Sequence, residues 1–172
     1  MELLDRFAQG DLEAFEALFR QFQGQVYGWI VRIVRDRGIA EDLTVETFWR
    51  IYRAHARFHP QGNFGAWARR IATHAALDHL KTARREVALP DDLAAGAQPD
   101  PAVHREVLEQ IERAFRELPA RLQVAATLGF VEEESYEQIA EALGISVGAV
   151  KSRIFRAVRL LRRKLKGLSV EP

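Results

Sequence analysis

Apolar residues recur at steps of three and four along almost the whole chain, and nowhere does a run of β-branched residues alternate with polar ones. The pattern predicts an all-α protein. Phe15, Leu18, Phe19, Phe22, Val26, Trp29, Ile30 and Ile33 mark one face of a helix capped by Asp11 and running to about Arg35. Asp36 to Gly38 breaks it. A second helix, from about Ala40 to Ala56, turns Leu43, Phe48, Ile51 and Tyr52 inward and carries Glu41 and Asp42 in its first turn. The loop from Phe58 to Asn63 holds a proline and a glycine, and a third helix follows from Phe64 to about Arg84. Glu86 to Pro101, with three prolines, one glycine and four acids, reads as an extended linker. Helices then resume from Ala102 to about Glu117, from Pro119 onward, and as a final pair between Ser135 and Leu165. No internal repeat is evident.

The final pair is the most specific pattern in the chain. Ser135 and Gln138 form a capping box, so a short helix begins near Tyr136. Ala140, Gly144 and Val150 stand where a helix-turn-helix needs a small contact residue, a left-handed turn residue and an apolar plug. Ser146 caps the second helix, on which Val147, Val150, Ile154, Val158, Leu161 and Leu165 form one apolar stripe. Lys151, Arg153, Arg156, Arg159, Arg162, Arg163, Lys164 and Lys166 fill most other positions, and no acid lies between Gly148 and Gly167. A few cations would merely suit the negative end of the helix dipole. A long row without acids repels itself unless a polyanion neutralises it, and duplex DNA is the natural candidate.

Charge adds an organisation that the near-neutral total hides. Residues 1–85 hold 13 bases against 10 acids, 86–120 hold 3 against 8, and 121–172 hold 9 against 6. Two basic blocks therefore flank an acidic one. The 172 residues, nearly half of them apolar, suffice for two small domains with real cores: 1–85 and 102–172, joined by a flexible linker at 86–101. The absence of cysteine excludes disulfides, thiolate metal sites and cysteine nucleophiles. The start MELLDRFAQGD is no signal peptide, and the apolar run from Val26 to Val34 is interrupted by Arg32 and too short to span a bilayer. A cytoplasmic protein without membrane insertion is expected and, with only a few residues after Leu165, so is the lack of a dedicated C-terminal sensor domain.

In the first block, Phe58, Phe64 and Trp67 bracket the loop and the start of the third helix. Arg69, Arg70, Lys81, Arg84 and Arg85 decorate that helix, with only Asp78 as an acid. Aromatic rings beside cations suit unpaired bases, each stacked base contributing roughly 1–3 kcal/mol. Trp67 taken alone reads as a core residue; loop and helix together read as a single-strand surface.

The segments GDLEAFEALFRQF, IAEDLTVETFWRIYRAHARF, FGAWARRIATHAALDHLKTARR and SYEQIAEALGISVGAVKSRIFRA, in this order, resemble the extracytoplasmic-function (ECF) group of bacterial RNA polymerase sigma factors. The likeness covers about 10–85 and 105–166. It implies a first domain that docks on the β′ clamp helices of core RNA polymerase and captures melted minus-ten DNA. The second domain would read minus-thirty-five promoter DNA as duplex, near the polymerase β flap. Residue by residue, the resemblance assigns docking to Glu41, Asp42, Thr44, Glu46 and Thr47. It assigns minus-ten binding to Phe58, Asn63, Phe64, Trp67, Arg69, Arg70, His74, Lys81, Arg84 and Arg85, the loop forming a pocket for a flipped base. Minus-thirty-five binding falls to Ser146, Lys151, Ser152, Phe155 and Arg156, with Arg153 and Arg159 meeting phosphate or solvent. The linker would lie by the RNA exit path, and an anti-sigma factor is an implied partner.

Four positions depart from the family's pattern. Val45 stands where glutamine is common, His74 where asparagine is, Ala149 where threonine is, and Glu134 where an apolar residue normally precedes the Ser135 cap. Glu134 thereby forfeits a hydrophobic staple onto Ile139.

Enzymatic readings find little support. His55 and His59, or His74 and Asp78, are one turn apart, but no third metal ligand is placed by sequence. Phosphate-binding glycine loops and a nucleophile elbow are absent. No catalysis, cofactor or metal is expected. The competing function is an ordinary helix-turn-helix regulator, which would bind paired half-sites as a dimer and have no use for a base pocket.

Overall fold

The computed structural model describes residues 2–87 and 102–166, and all regular structure among them is helical. Most of the 86–101 linker and the stretch after residue 166 lie outside the described residues. Eight α-helices follow one another: α1 (Leu3–Ala8), α2 (Leu12–Val34), α3 (Arg37–Arg53), α4 (Phe64–Val87), α5 (Ala102–Arg116), α6 (Ala120–Ala126), α7 (Tyr136–Leu143) and α8 (Val147–Leu165). A 3₁₀ turn, His55–Arg57, follows α3, and a π-helical turn, Thr127–Val131, extends α6.

Helix α1 was not foreshadowed by periodicity. Six residues cannot sustain a helix by propensity, so its stability comes from packing. Phe7 is fully buried and meets the rings of Phe64, Phe58 and Trp67 at 5.5, 5.8 and 6.2 Å. Asp11 then begins α2 as expected, accepting from the Ala14 N–H at 3.0 Å and from Arg6 Nε at 2.7 Å. Those two bonds, that from Arg6 the stronger, hold its carboxyl below the usual carboxylate range.

Helix α3 begins earlier than the sequence reading has it. Asp36 does not break the chain but caps α3, its Oδ1 accepting from the Ile39 N–H at 2.9 Å, after Arg35 closes α2 with φ of 56°. Glu41 and Asp42 consequently sit in the second turn, where the dipole contributes little. Helices α2, α3 and α4 pack into one bundle around Leu18, Val26, Ile30, Phe48, Ile51, Ala68 and Ala72.

Helices α5 to α8 form the second unit. The capping box at Ser135 is complete, Gly144 closes α7 with φ of +66°, and Ser146 caps α8 through the Ala149 N–H. Val150 and Ile139 are fully buried between the helices. An L-residue with a side chain at the left-handed position of Gly144 is strained by about 1–2 kcal/mol, so Gly144→Ala is expected to lower unfolding free energy by that amount in a urea titration. Its Cβ would also crowd Arg70 Nε at 3.2 Å.

That last contact crosses between the units, and it is not isolated. A proline-rich linker permits compact or splayed domains alike; here α4 packs against α6 and α7, and one apolar cluster continues from α2 and α4 into Val124, Leu128, Ile139 and Leu143. The second unit keeps a smaller core of its own around Leu118, Leu122, Ala157 and Leu161.

Candidate nucleic-acid interface

The α8 stripe turns Val150, Ile154, Ala157 and Leu161 inward, which leaves Lys151, Ser152, Phe155, Arg156 and Arg159 exposed together. Phe155, at 62% exposed, is a large ring offered to solvent, with the Arg159 guanidinium 5.9 Å from its centroid. Arg156 folds back on Ser152, donating to its Oγ at 2.9 Å, so its guanidinium is preorganised rather than free. Arg153 is half-buried; burial first, then Arg121 and Arg156, push its pKa down. Ser146 is exposed, but its hydroxyl already accepts the Ala149 N–H at 3.1 Å. Lys151, Ser152, Phe155, Arg156 and Arg159 thus form one exposed basic and aromatic face.

The first domain's site differs from expectation in its aromatic part. Phe58 and Phe64 are 5% and 4% exposed, packed under Phe7, and therefore cannot stack on a base. They are core residues, because α1 fills the space a base would need beside them. Trp67 is half-buried in the same cluster. Asn63 is exposed and caps α4, its Oδ1 accepting from the Ala66 N–H at 3.0 Å. A cleft of about 240 Å³ does open beside this cap, lined by Trp29, Asn63, Gly65, Ala66, Arg69, Glu141 and Ala142. Its far wall belongs to α7, so the cleft is shared by the two domains.

Of the cations, Lys81 and Arg85 lie along α4, half-buried and exposed respectively. His74 Nδ1 sits 2.8 Å from the Arg70 carbonyl. Arg69, Arg70 and Arg84 are all engaged by the second domain: Arg69 pairs with Glu134, Arg70 Nε approaches the Glu141 carbonyl at 3.5 Å, and Arg84 donates to the Arg116 carbonyl at 2.7 Å. Burial lowers the pKa of Arg84.

On α3, Glu41, Asp42 and Glu46 are exposed on one face. Thr44 and Thr47 are not: they are 9% and 0% exposed, and Thr44 Oγ1 donates to the Ala40 carbonyl at 2.6 Å. They point into the bundle, which corrects their assignment to a docking surface. The face instead includes Val45 and Trp49, at 68% and 59% exposed. Their spacing of four from Glu41 and Val45 respectively was visible in the sequence, but their apolar character suggested nothing beyond core. Arg50 ties the helix down, bonding Glu46 at 2.9 Å and Asp78 of α4 at 3.0 Å. Burial opposes its charge, but those bonds outweigh it and hold its pKa above the ordinary value.

Among the described residues no three His, Asp or Glu side chains are grouped to hold a metal, and no helix is long and apolar enough to cross a membrane.

A helical bundle carrying an acidic-apolar face, joined to a helix-turn-helix with a basic reader helix, defines a two-domain promoter-recognition subunit. The sigma-70 region 2 model matches residues 18–86, and the sigma-70 region 4 model matches 108–161. The chain is 34% identical to the RNA polymerase sigma-H factor of Pseudomonas aeruginosa, over 97% of its own length and 94% of the relative's. It is also 34% identical to the ECF RNA polymerase sigma-E factor of Haemophilus influenzae, over 96% and 95%. The solved sigma factor RpoE, in complex with the anti-sigma factor NepR from Bartonella quintana, shares the fold with a TM-score of 0.56 and 22% identity, over 94% of this chain and all of that one. This chain belongs to the ECF group of RNA polymerase sigma factors, and it directs transcription initiation at promoters. A free-standing regulator is thereby set aside.

Proposed function

We propose that the chain docks on core polymerase through Glu41, Asp42, Val45, Glu46 and Trp49 of α3, on the β′ clamp helices. The second domain, placed by the β flap, reads minus-thirty-five duplex through Lys151, Ser152, Phe155 and Arg156, with Ser146, Arg153 and Arg159 towards phosphate. The first domain takes the melted minus-ten strand along Asn63, Trp67, Arg69, Arg70, His74, Lys81, Arg84 and Arg85, a base entering the cleft beside Asn63. Extruding that base costs a few kcal/mol, which the cleft can offset.

The observation that carries this reading is the acid-free basic face of α8, exposed on a helix whose Val150, Ile154, Ala157 and Leu161 are buried on the other side. The protein works in the cytoplasm as an initiation factor without catalysis of its own, and an anti-sigma factor controls it. The protein RpoE, seen with NepR, supports that last assignment. Reconstituted transcription with core polymerase on a promoter library tests the whole: specific initiation only when the chain is added is the expected result. The absence of initiation, or of co-migration with core, would overturn it.

A further inference from the structure

Three arginines given above to the minus-ten strand are already occupied in the free chain. Arg69 and Glu134 are paired with side chains only 22% and 15% exposed, and Arg69 also lies 6.0 Å over the Trp29 ring. Arg70 rests against Gly144 and the Glu141 carbonyl in the last turn of α7, the negative end of that helix. Arg84 is held by the Arg116 carbonyl and, at 3.1 Å, by Gln123 Oε1. Along the same seam Arg32 and Arg35 meet Glu132 and Glu112 at 3.4 and 4.0 Å. In each of these contacts the cation comes from the first domain and the acceptor from the second.

Glu134 anchors this seam from the second domain. It precedes the Ser135 cap, where an apolar residue would staple onto Ile139. The carboxylate that stands there instead crosses to α4. Its Oε1 takes Arg69, while its Oε2 is buried with no hydrogen-bond partner among the described residues. A buried charge satisfied on one side only is held at a cost, so the pair is poised to yield to a better-matched anion. The seam is also incompletely filled: a cavity of about 650 Å³ lies between Ile33, Ile39, Phe115 and Val131.

We infer that the Arg69–Glu134 pair is an autoinhibitory clasp. The second domain lays its own carboxylate where a phosphate of the melted strand would bind, and single-stranded DNA opens the domains by displacing it. The inference rests on reading α4 as the single-strand surface. A phosphate offers Arg69 the bidentate geometry that suits a guanidinium. A strand also reaches Arg70 and Arg84 in the same event. The reader face of α8 lies outside the seam, so closure silences one DNA surface and leaves the other open.

Because the chain has no cysteine, labels on Gln23→Cys and Gln110→Cys, one in each domain, report closure without interference. Glu134→Gln is expected to lengthen the label separation and to raise the full chain's affinity for single-stranded oligothymidylate about tenfold, a typical coupling. Glu137→Gln removes the same charge from an exposed position and should change neither. The unsubstituted chain should lengthen as oligothymidylate is titrated in. If Glu134→Gln behaves like Glu137→Gln in both readouts, the clasp does not exist. Should Glu134→Gln fail to fold, Glu134→Leu, which restores a staple onto Ile139, decides: opening supports the clasp, and a closed chain with unchanged affinity overturns it. Failure of the sigma reading would show separately, as an unsubstituted chain that closes normally yet initiates nothing with core polymerase.

Discussion

Replacing Lys151 and Arg156 together by alanine is expected to cost promoter binding roughly 2–4 kcal/mol, each lost contact contributing about 1–2 kcal/mol. That is a fall of about thirty- to several-hundredfold in promoter-dependent initiation. Both side chains are exposed, and the hydrogen bonds of Arg156 go to Ser152 within its own helix, so fold stability should move by no more than about 0.5 kcal/mol. The log–log salt slope of DNA binding should shrink by about one for each phosphate contact removed. Affinity for core polymerase should stay at the wild-type value. If it fell in parallel with promoter binding, α8 would be part of the docking surface and the division of labour between the domains would be wrong.

Charge reversal on the first domain is expected to separate the functions the other way. Glu41→Lys with Asp42→Lys turns the exposed acidic face of α3 basic while leaving the Arg50 bonds to Glu46 and Asp78 in place. Like charges set against a complementary partner cost several kcal/mol, and the encounter rate falls as well. Co-elution with core polymerase should be lost, while duplex binding by α8 persists. A companion variant, Trp49→Ala, removes a ring already 59% exposed, so the bundle keeps its core. If that ring is an interface anchor, affinity for core falls by about 2 kcal/mol or more, roughly thirtyfold. Wild-type affinity in the doubly reversed variant would place docking on another face.

How much of this could be read in advance depended on the range of the interaction. The reader unit was legible almost to the residue, since Ser135 with Gln138, Gly144 and Ser146 act within four positions of themselves. The helix at Asp11 was legible for the same reason. The start of α3 was missed because Asp36 and Gly38 resemble a break, and only the Asp36 bond to Ile39 shows that one of them is a cap. Helix α1 was missed because a six-residue segment carries no periodic signal; it exists through Phe7 contacts with rings more than fifty positions away. Those same contacts removed Phe58 and Phe64 from the base pocket.

The amino-acid order alone established an all-α protein with two basic helical blocks and a helix-turn-helix, because caps, turn residues and apolar steps are properties of neighbouring residues; the ECF sigma character came from the resemblance of four ordered segments to that family. Three-dimensional packing decided that Thr44 and Thr47 face inward while Val45 and Trp49 face out. It also decided that Arg69 and Arg70 meet partners 65 and 71 positions away. A cation's partner is whichever acceptor the burial of apolar surface brings beside it. No local rule contains that choice, since the energy that makes it comes from the shared core between the domains.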